Sequence, residues 1–211
     1  MTSKILNIHD QTPEANTIAH AVHIIKNGGL VVFPTWCLYG LATDALNPKA
    51  IQRVFDIKKR PPENPILILI KDIDELKGLV RDIPQSAQRI MNRFWPGKVT
   101  LVFEARDCIP QILTAGTGKI GIRIPEHPVA AALVNSLPHP ITGTSANISG
   151  ETGCSDLSQM PLEIIDKADL VLDSGPLSGG LGSTVVDVTC DPVRIIRQGA
   201  VSTVEIFQAI S

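Results

Sequence analysis

Five consecutive apolar residues, Ile66 to Ile70, offer no polar face to water, so a strand built from them must be covered on both sides. That requirement argues against a one-sided antiparallel sheet and calls for helices flanking the strands, an α/β arrangement. Directly before the run lies KKRPPENP, Lys58 to Pro65. Pro61 and Pro62 end the preceding helix pattern, because proline lacks an N–H and restricts its neighbour, so Lys58, Lys59 and Arg60 are presented at a rigid turn. Two readings compete. The cations could simply face the negative end of a helix dipole, for about 0.3–1 kcal/mol each. Alternatively, a fixed basic turn at strand ends is a place where phosphates bind.

The rest of the chain alternates in the same way. Ala15, Ile18, Ala19, Val22 and Ile25 recur at helical spacing and stop at Gly28–Gly29, feeding a strand over Leu30 to Phe33. His20 and His23 read as surface residues of that helix. PTWCLYGLATDA follows as a loop, a usual place for chemistry. Asn47 and Pro48 read as an N-cap and first helical residue, with Ile51, Val54 and Phe55 inward. After the apolar run, a helix follows Pro84, and Val99 to Phe103 forms a strand, with Trp95 as a wedge at the helix end. GTGKIG, residues 116–121, matches GxGxxG literally but leads into the strand pattern IGIRIP rather than a helix, so a dinucleotide fingerprint is rejected. Arg123 sits inside that apolar strand, where a charge must be paired or face a cavity. A helix over 129–137 precedes a strand over 141–144, which ends in TSANISG. That turn crowds Thr144, Ser145, Asn147 and Ser149 together, either as a simple polar turn or as hydrogen-bonding groups for a ligand. A helix over 158–168 and a strand over 170–172 come next. The glycines of SGPLSGGLGSTVVD either converge backbone N–H groups on an anion or form a flexible hairpin. The strand 184–188, an apolar pair before Arg197 and Gly199, and a helix over 204–210 close the chain, with antiparallel pairing expected where the connections are short.

Composition narrows the class. With 211 residues and 44% hydrophobic content, the chain fits one compact domain over 1–211, its core at about 15–205. A net charge of −2 argues against a protein that mainly coats nucleic acid, although a local basic cleft stays open. Cys37, Cys108, Cys154 and Cys190 show no metal or disulfide spacing, which fits a reducing cytoplasm. MTSKILNIHDQT lacks the basic-then-apolar pattern of a leader, and no apolar run nears the roughly 20 residues of a membrane helix.

PT…YGL at Pro34 to Leu41, KKRP, FWPGKVT, IGIRIPEHP, TSANISG, STVVD and RQG occur in one order. This set resembles the YrdC-like family of L-threonylcarbamoyl-AMP synthases, from about the first helix nearly to the C-terminus. The resemblance implies a twisted α/β mixed sheet, parallel and antiparallel, with flanking helices around a basic concave cavity. It implies a reaction of L-threonine, bicarbonate and ATP, giving threonylcarbamoyl-AMP and pyrophosphate for N6-threonylcarbamoyladenosine in tRNA. Lys58 and Arg60 match the K-x-R pair and are the implied catalytic residues. Asn64, Lys119, Asn147, Ser155 and Arg197 join them as implied ATP contacts. Thr35, Arg123, Ser145 and Ser183 align with positions that hold threonine. Mg2+ is implied on the ATP phosphates, with no protein metal site. The implied partners are tRNA or double-stranded RNA and a downstream threonylcarbamoyl-transferase.

Three residues depart from the family pattern. Trp36 and Cys37 stand where relatives carry an acidic residue after the PT pair, and Leu69 stands where many have histidine. A Cys37 nucleophile is a further reading, without a base placed by sequence to generate its thiolate. The extra C-terminal domain of longer members is not expected after RQG. Competing functions are an RNA-binding module without synthase activity, and a paralogue of the YciO or hydrogenase-maturation type.

Overall fold

A computed structural model describes residues 4–211; the first three residues of the stretch read as lacking a leader lie outside the described residues. The chain runs β1 (Ile5–Asn7), α1 (Ala15–Lys26), β2 (Val31–Pro34), β3 (Tyr39–Ala42), α2 (Pro48–Lys58), β4 (Ile68–Leu69), α3 (Ile73–Leu79), α4 (Gln85–Phe94) and β5 (Val99–Glu104). It continues through α5 (Gln111–Thr114), β6 (Lys119–Arg123), α6 (Pro128–Asn135), β7 (Ile141–Thr142) and β8 (Thr144–Ser145). A 3-10 turn (Leu157–Gln159), α7 (Leu162–Lys167), β9 (Leu170–Asp173), β10 (Thr184–Asp187), β11 (Arg194–Arg197) and α8 (Thr203–Ile210) complete it.

The α/β class and mixed pairing hold, but the strands form two sheets rather than one: β1-β9-β2-β3-β8 and β11-β10-β5-β6-β4-β7. In the first, β9 runs parallel to β1 and β2, whereas β2–β3 and β3–β8 are antiparallel. In the second, β5 pairs parallel with β10 and antiparallel with β6, and β10–β11 is the antiparallel pair expected near the C-terminus. The stretch read as one strand over 141–144 is two strands in different sheets, divided at Gly143. A side chain there would meet Leu67 Cδ1 at 2.6 Å and Leu69 Cγ at 2.8 Å, so the crossing needs glycine.

Burial explains the continuous apolar runs. In β2, Val31 and Phe33 enter a core with α1 and α6, while Val32 enters a second core with α2, α3 and α4. The run after Pro65 behaves likewise: Ile66, Ile68 and Ile70 face one core and Leu69 the other, as a doubly covered segment must, although only Ile68 and Leu69 enter the ladder. Residues 34–45, expected as a loop, contain β3. All four of its residues are buried, so no polar alternation marks it. The helix expected over 158–168 is split by Met160–Pro161, with Pro161 at the start of α7.

At α2 the capping expectation holds: Asn47 Oδ1 accepts from Lys49 N (3.1 Å) and Ala50 N (3.2 Å), a cap that stabilises by about 1 kcal/mol. The helix ends at Lys59 in a left-handed conformation (φ 47°), and Arg60 N donates to Phe55 O at 2.9 Å. At the other end of the chain, Gly199 lies under the start of β10. A Cβ on Gly199 would stand 2.4 Å from Gly182 O, Ser183 C and Thr184 N, all backbone atoms. Gly199→Ala is expected to destabilise the protein by about 3 kcal/mol, from overpacking that no rotamer change relieves. A denaturation midpoint equal to wild type would contradict this.

Candidate active site

The two sheets enclose a cavity of about 650 Å³. Its wall carries Arg60, Lys119, Arg123, Arg194 and Arg197, against one carboxylate, Asp187. Asp187 is buried and already engaged, accepting from Lys119 Nζ (3.1 Å), Arg194 Nη2 (3.4 Å) and Thr189 Oγ1 (2.6 Å). Burial would raise its carboxyl, but the Thr189 and Lys119 bonds outweigh that and hold it below the usual range. Arg60, Arg123 and Arg197 have no carboxylate within 4 Å among the described residues.

Arg123 comes from the end of β6, which pairs with Leu69 of β4. The side chain is 7% exposed, its Nη1 reaches Gly97 O at 3.5 Å, and its Nε has no partner. Burial pulls this guanidinium down to about 10, with Cys37 and Glu126 acting in the opposite direction. A buried cation left in this state is costly unless an anion completes it. Arg197, at the end of β11, donates from Nε (3.2 Å) and Nη2 (2.8 Å) to Ser183 O, and from Nη2 to Ser183 Oγ at 3.2 Å. Ser183 Oγ in turn shares a hydrogen bond with Thr100 Oγ1 at 2.8 Å. Arg60 uses Nε on Asn64 O (3.0 Å) and Nη2 on Pro65 O (2.8 Å), which aims its guanidinium at the wall. Burial first and then Arg197 push Arg60 down, so the two guanidiniums repel across the cavity.

The cations of KKRPPENP therefore have separate tasks beyond any interaction with the helix dipole. Lys59 pairs with Glu163 at 2.7 Å, and Arg60 faces the cavity. Lys58 is 1% exposed and lies behind the wall, its Nζ donating to Ser145 O, to Asn147 O (2.7 Å) and to Asn147 Oδ1 (3.3 Å). Burial, then the charge of Arg60, lowers its ammonium to about 7.

Of the residues aligned with threonine contacts, Thr35, Arg123, Ser145 and Ser183 all line the one cavity, as do Arg60, Lys119 and Arg197 from the nucleotide set. Lys58, Asn64, Asn147 and Ser155 do not. Asn64 is exposed on the turn that Arg60 holds, and Asn147 is buried. Ser155 O accepts from Leu177 N at 2.7 Å. The glycine stretch does not form an anion nest at that point: Leu177 N and Gly179 N are taken by Ser155 O and Cys37 O, and Ser178 Oγ binds Trp36 O.

Trp36, Cys37 and Leu69 also line the cavity. Lys98 Nζ stands 4.5 Å from the centre of the Trp36 ring. Burial raises the Cys37 thiol despite Arg123 nearby, and no histidine lines the cavity, so the nucleophile reading finds neither thiolate nor base. Sequence reasoning passed over Arg194 and Asp187 as site residues. Asp187 was visible as the last letter of STVVD, but its pairing with a lysine 68 residues away was not.

Fold and site together define an α/β protein whose two sheets enclose a cleft lined by five cationic side chains and one carboxylate. A model of the Sua5/YciO/YrdC family, described as telomere recombination, matches residues 23–199, and the chain belongs to that family. It is 34% identical over 206 residues to a threonylcarbamoyl-AMP synthase of Pyrococcus abyssi, covering 98% of this chain and 60% of that protein. The crystal structure of P. abyssi Sua5 complexed with L-threonine superposes with a TM-score of 0.94 at 34% identity, over 99% of this chain and 61% of the other. Escherichia coli YciO, at 30% identity, superposes with a TM-score of 0.85 over 98% of this chain and all of the other. The chain thus spans about three-fifths of the length of the Pyrococcus synthase.

Proposed function

We propose that this chain is an L-threonylcarbamoyladenylate synthase, a nucleotidyltransferase that joins L-threonine, bicarbonate and ATP with release of pyrophosphate. The observation that carries the reading is Arg123: a buried guanidinium with an unpartnered Nε, on the same wall as Thr35, Ser145 and Ser183. An amino-acid carboxylate supplies the missing anion, and bidentate contact suits arginine. The solved Pyrococcus relative was crystallised with L-threonine, in keeping with this assignment.

In this reading the threonine amine is carboxylated, by dissolved CO2 with loss of a proton or by bicarbonate with loss of water, and the resulting carbamate oxygen attacks the α-phosphorus of ATP as the bond to pyrophosphate breaks. Bringing two anions together is the main electrostatic barrier, and Arg60 and Arg197, neither paired with a carboxylate, lower it by standing where charge accumulates on the phosphate oxygens. Mg2+ belongs to the substrate as MgATP; Asp187, the carboxylate on the wall, is already occupied by Lys119 and Arg194. The product would pass to a threonylcarbamoyl-transferase acting on tRNA. No helix among the described residues is long and apolar enough to cross a membrane.

The test is pyrophosphate release from ATP and bicarbonate with each amino acid in turn. Release that depends on threonine is expected. Release indifferent to threonine would overturn the reading, and RNA binding with a steep salt dependence but no pyrophosphate release would favour the non-catalytic alternative.

A further inference from the structure

We infer that Lys58 is a positioning residue that fixes the Ser145–Ser149 turn from behind the cavity wall, and does not itself contact the ligand. The inference rests on the synthase reading only for the names of the ligands. Lys58 is the last residue of α2 and is almost wholly buried. An ammonium has three protons to donate, and the three acceptors here are Ser145 O, Asn147 O and Asn147 Oδ1. The backbone adds a fourth tie, with Ser149 N donating to Lys58 O at 2.8 Å. Both ends of the residue therefore hold the same turn.

Asn147 is equally committed. Its Oδ1 accepts from Lys58 and from Ser145 Oγ, and its Nδ2 donates to Ile148 O and Glu151 O, both at 2.8 Å. The amide has no free donor left for a nucleotide. What this closed network delivers to the cavity is Ser145, placed at the end of β8 opposite Gly40 of β3. Its hydroxyl donates inward to Asn147, which leaves its lone pairs to accept from a ligand N–H. The K-x-R pair thus divides, with Lys58 working behind the wall and Arg60 in front of it. Removing the ammonium would take one donor from each acceptor and leave Asn147 O unsatisfied, since Ser145 O keeps Asn147 N and Asn147 Oδ1 keeps Ser145 Oγ, and it would free the turn to relax.

The experiment compares Lys58→Met with wild type in steady-state kinetics and in MgATP binding by calorimetry. A positioning role predicts a threonine KM raised at least tenfold with a lower kcat, and MgATP affinity within twofold of wild type. Adding Ser145→Ala to Lys58→Met should then cost little more, because both act through one hydroxyl. MgATP affinity reduced tenfold or more, with threonine KM unchanged and a fully additive Ser145→Ala, would overturn the inference in favour of direct phosphate contact. Should Lys58→Met not fold, Asn147→Ala puts the same question: a raised threonine KM with unchanged MgATP affinity supports the network, and weakened MgATP binding refutes it. Failure of the synthase reading is recognised separately, as a wild type indifferent to threonine; the MgATP measurement still decides the position of Lys58.

Discussion

Arg60→Ala is expected to lower kcat/KM for pyrophosphate release by roughly 10²- to 10³-fold while the protein stays folded, the scale on which loss of one preorganised charge donor acts. The folding cost is limited because Arg60 contributes two hydrogen bonds to Asn64 O and Pro65 O on an exposed turn, about 1–2 kcal/mol in total. The catalytic cost is larger because Arg197 stands close enough to raise the electrostatic cost of the Arg60 charge, a repulsion that a bound triphosphate would relieve on the proposed function. Lysine should not rescue the variant: a single ammonium cannot hold the 64–65 carbonyls and also face phosphate in the planar fork that arginine provides. A lowered melting temperature with activity per folded molecule retained would instead assign Arg60 to the helix end.

Arg123→Met should separate activity from stability with opposite signs. Arg123 sits in a buried strand with a 3.5 Å contact to Gly97 O as its one side-chain hydrogen bond among the described residues and an orphaned Nε, so in the free protein its desolvation is poorly compensated. Replacing a poorly paired buried charge with an apolar side chain of similar length is often neutral or stabilising, by about 1–4 kcal/mol. On the proposed function the same substitution removes the anchor for the amino-acid carboxylate, and a threonine KM raised at least a hundredfold is expected. Loss of 3–5 kcal/mol of stability with an unchanged threonine KM is the result that would identify Arg123 as a structural ion-pair member.

Much of this was legible in the chain. The Asn47–Pro48 start of α2, the doubly covered run after Pro65 and the misplaced charge at Arg123 follow from local chemistry and were visible as such. β3 was hidden because Tyr39 to Ala42 are buried on both faces, and a strand without polar alternation reads as loop when proline precedes it and glycine interrupts it. The crossing at Gly143 was hidden because only the contacts with Leu67 and Leu69, more than 70 positions earlier, make that glycine a boundary between sheets. Lys58 and Asn147 stand near cavity-lining residues in sequence, yet a change of direction at Lys59 and a tight turn at 145–149 put them behind the wall. Spacing placed the cations near one another; backbone direction decided which of them the cavity sees.

In the proposed reaction one cavity joins an amino acid, held at Arg123, to a nucleotide, held at Arg60 and Arg197, through a carbon that comes from bicarbonate. The most direct measurement incubates the protein with ATP, threonine and ¹³C-bicarbonate and follows the label by mass spectrometry. The proposed reaction gives a labelled threonylcarbamoyl adenylate formed in step with pyrophosphate, and at threonine well below KM the Arg123→Met protein should form both about a hundredfold more slowly. An adenylate that lacks the labelled carbon, or pyrophosphate released without any adenylate, would contradict it.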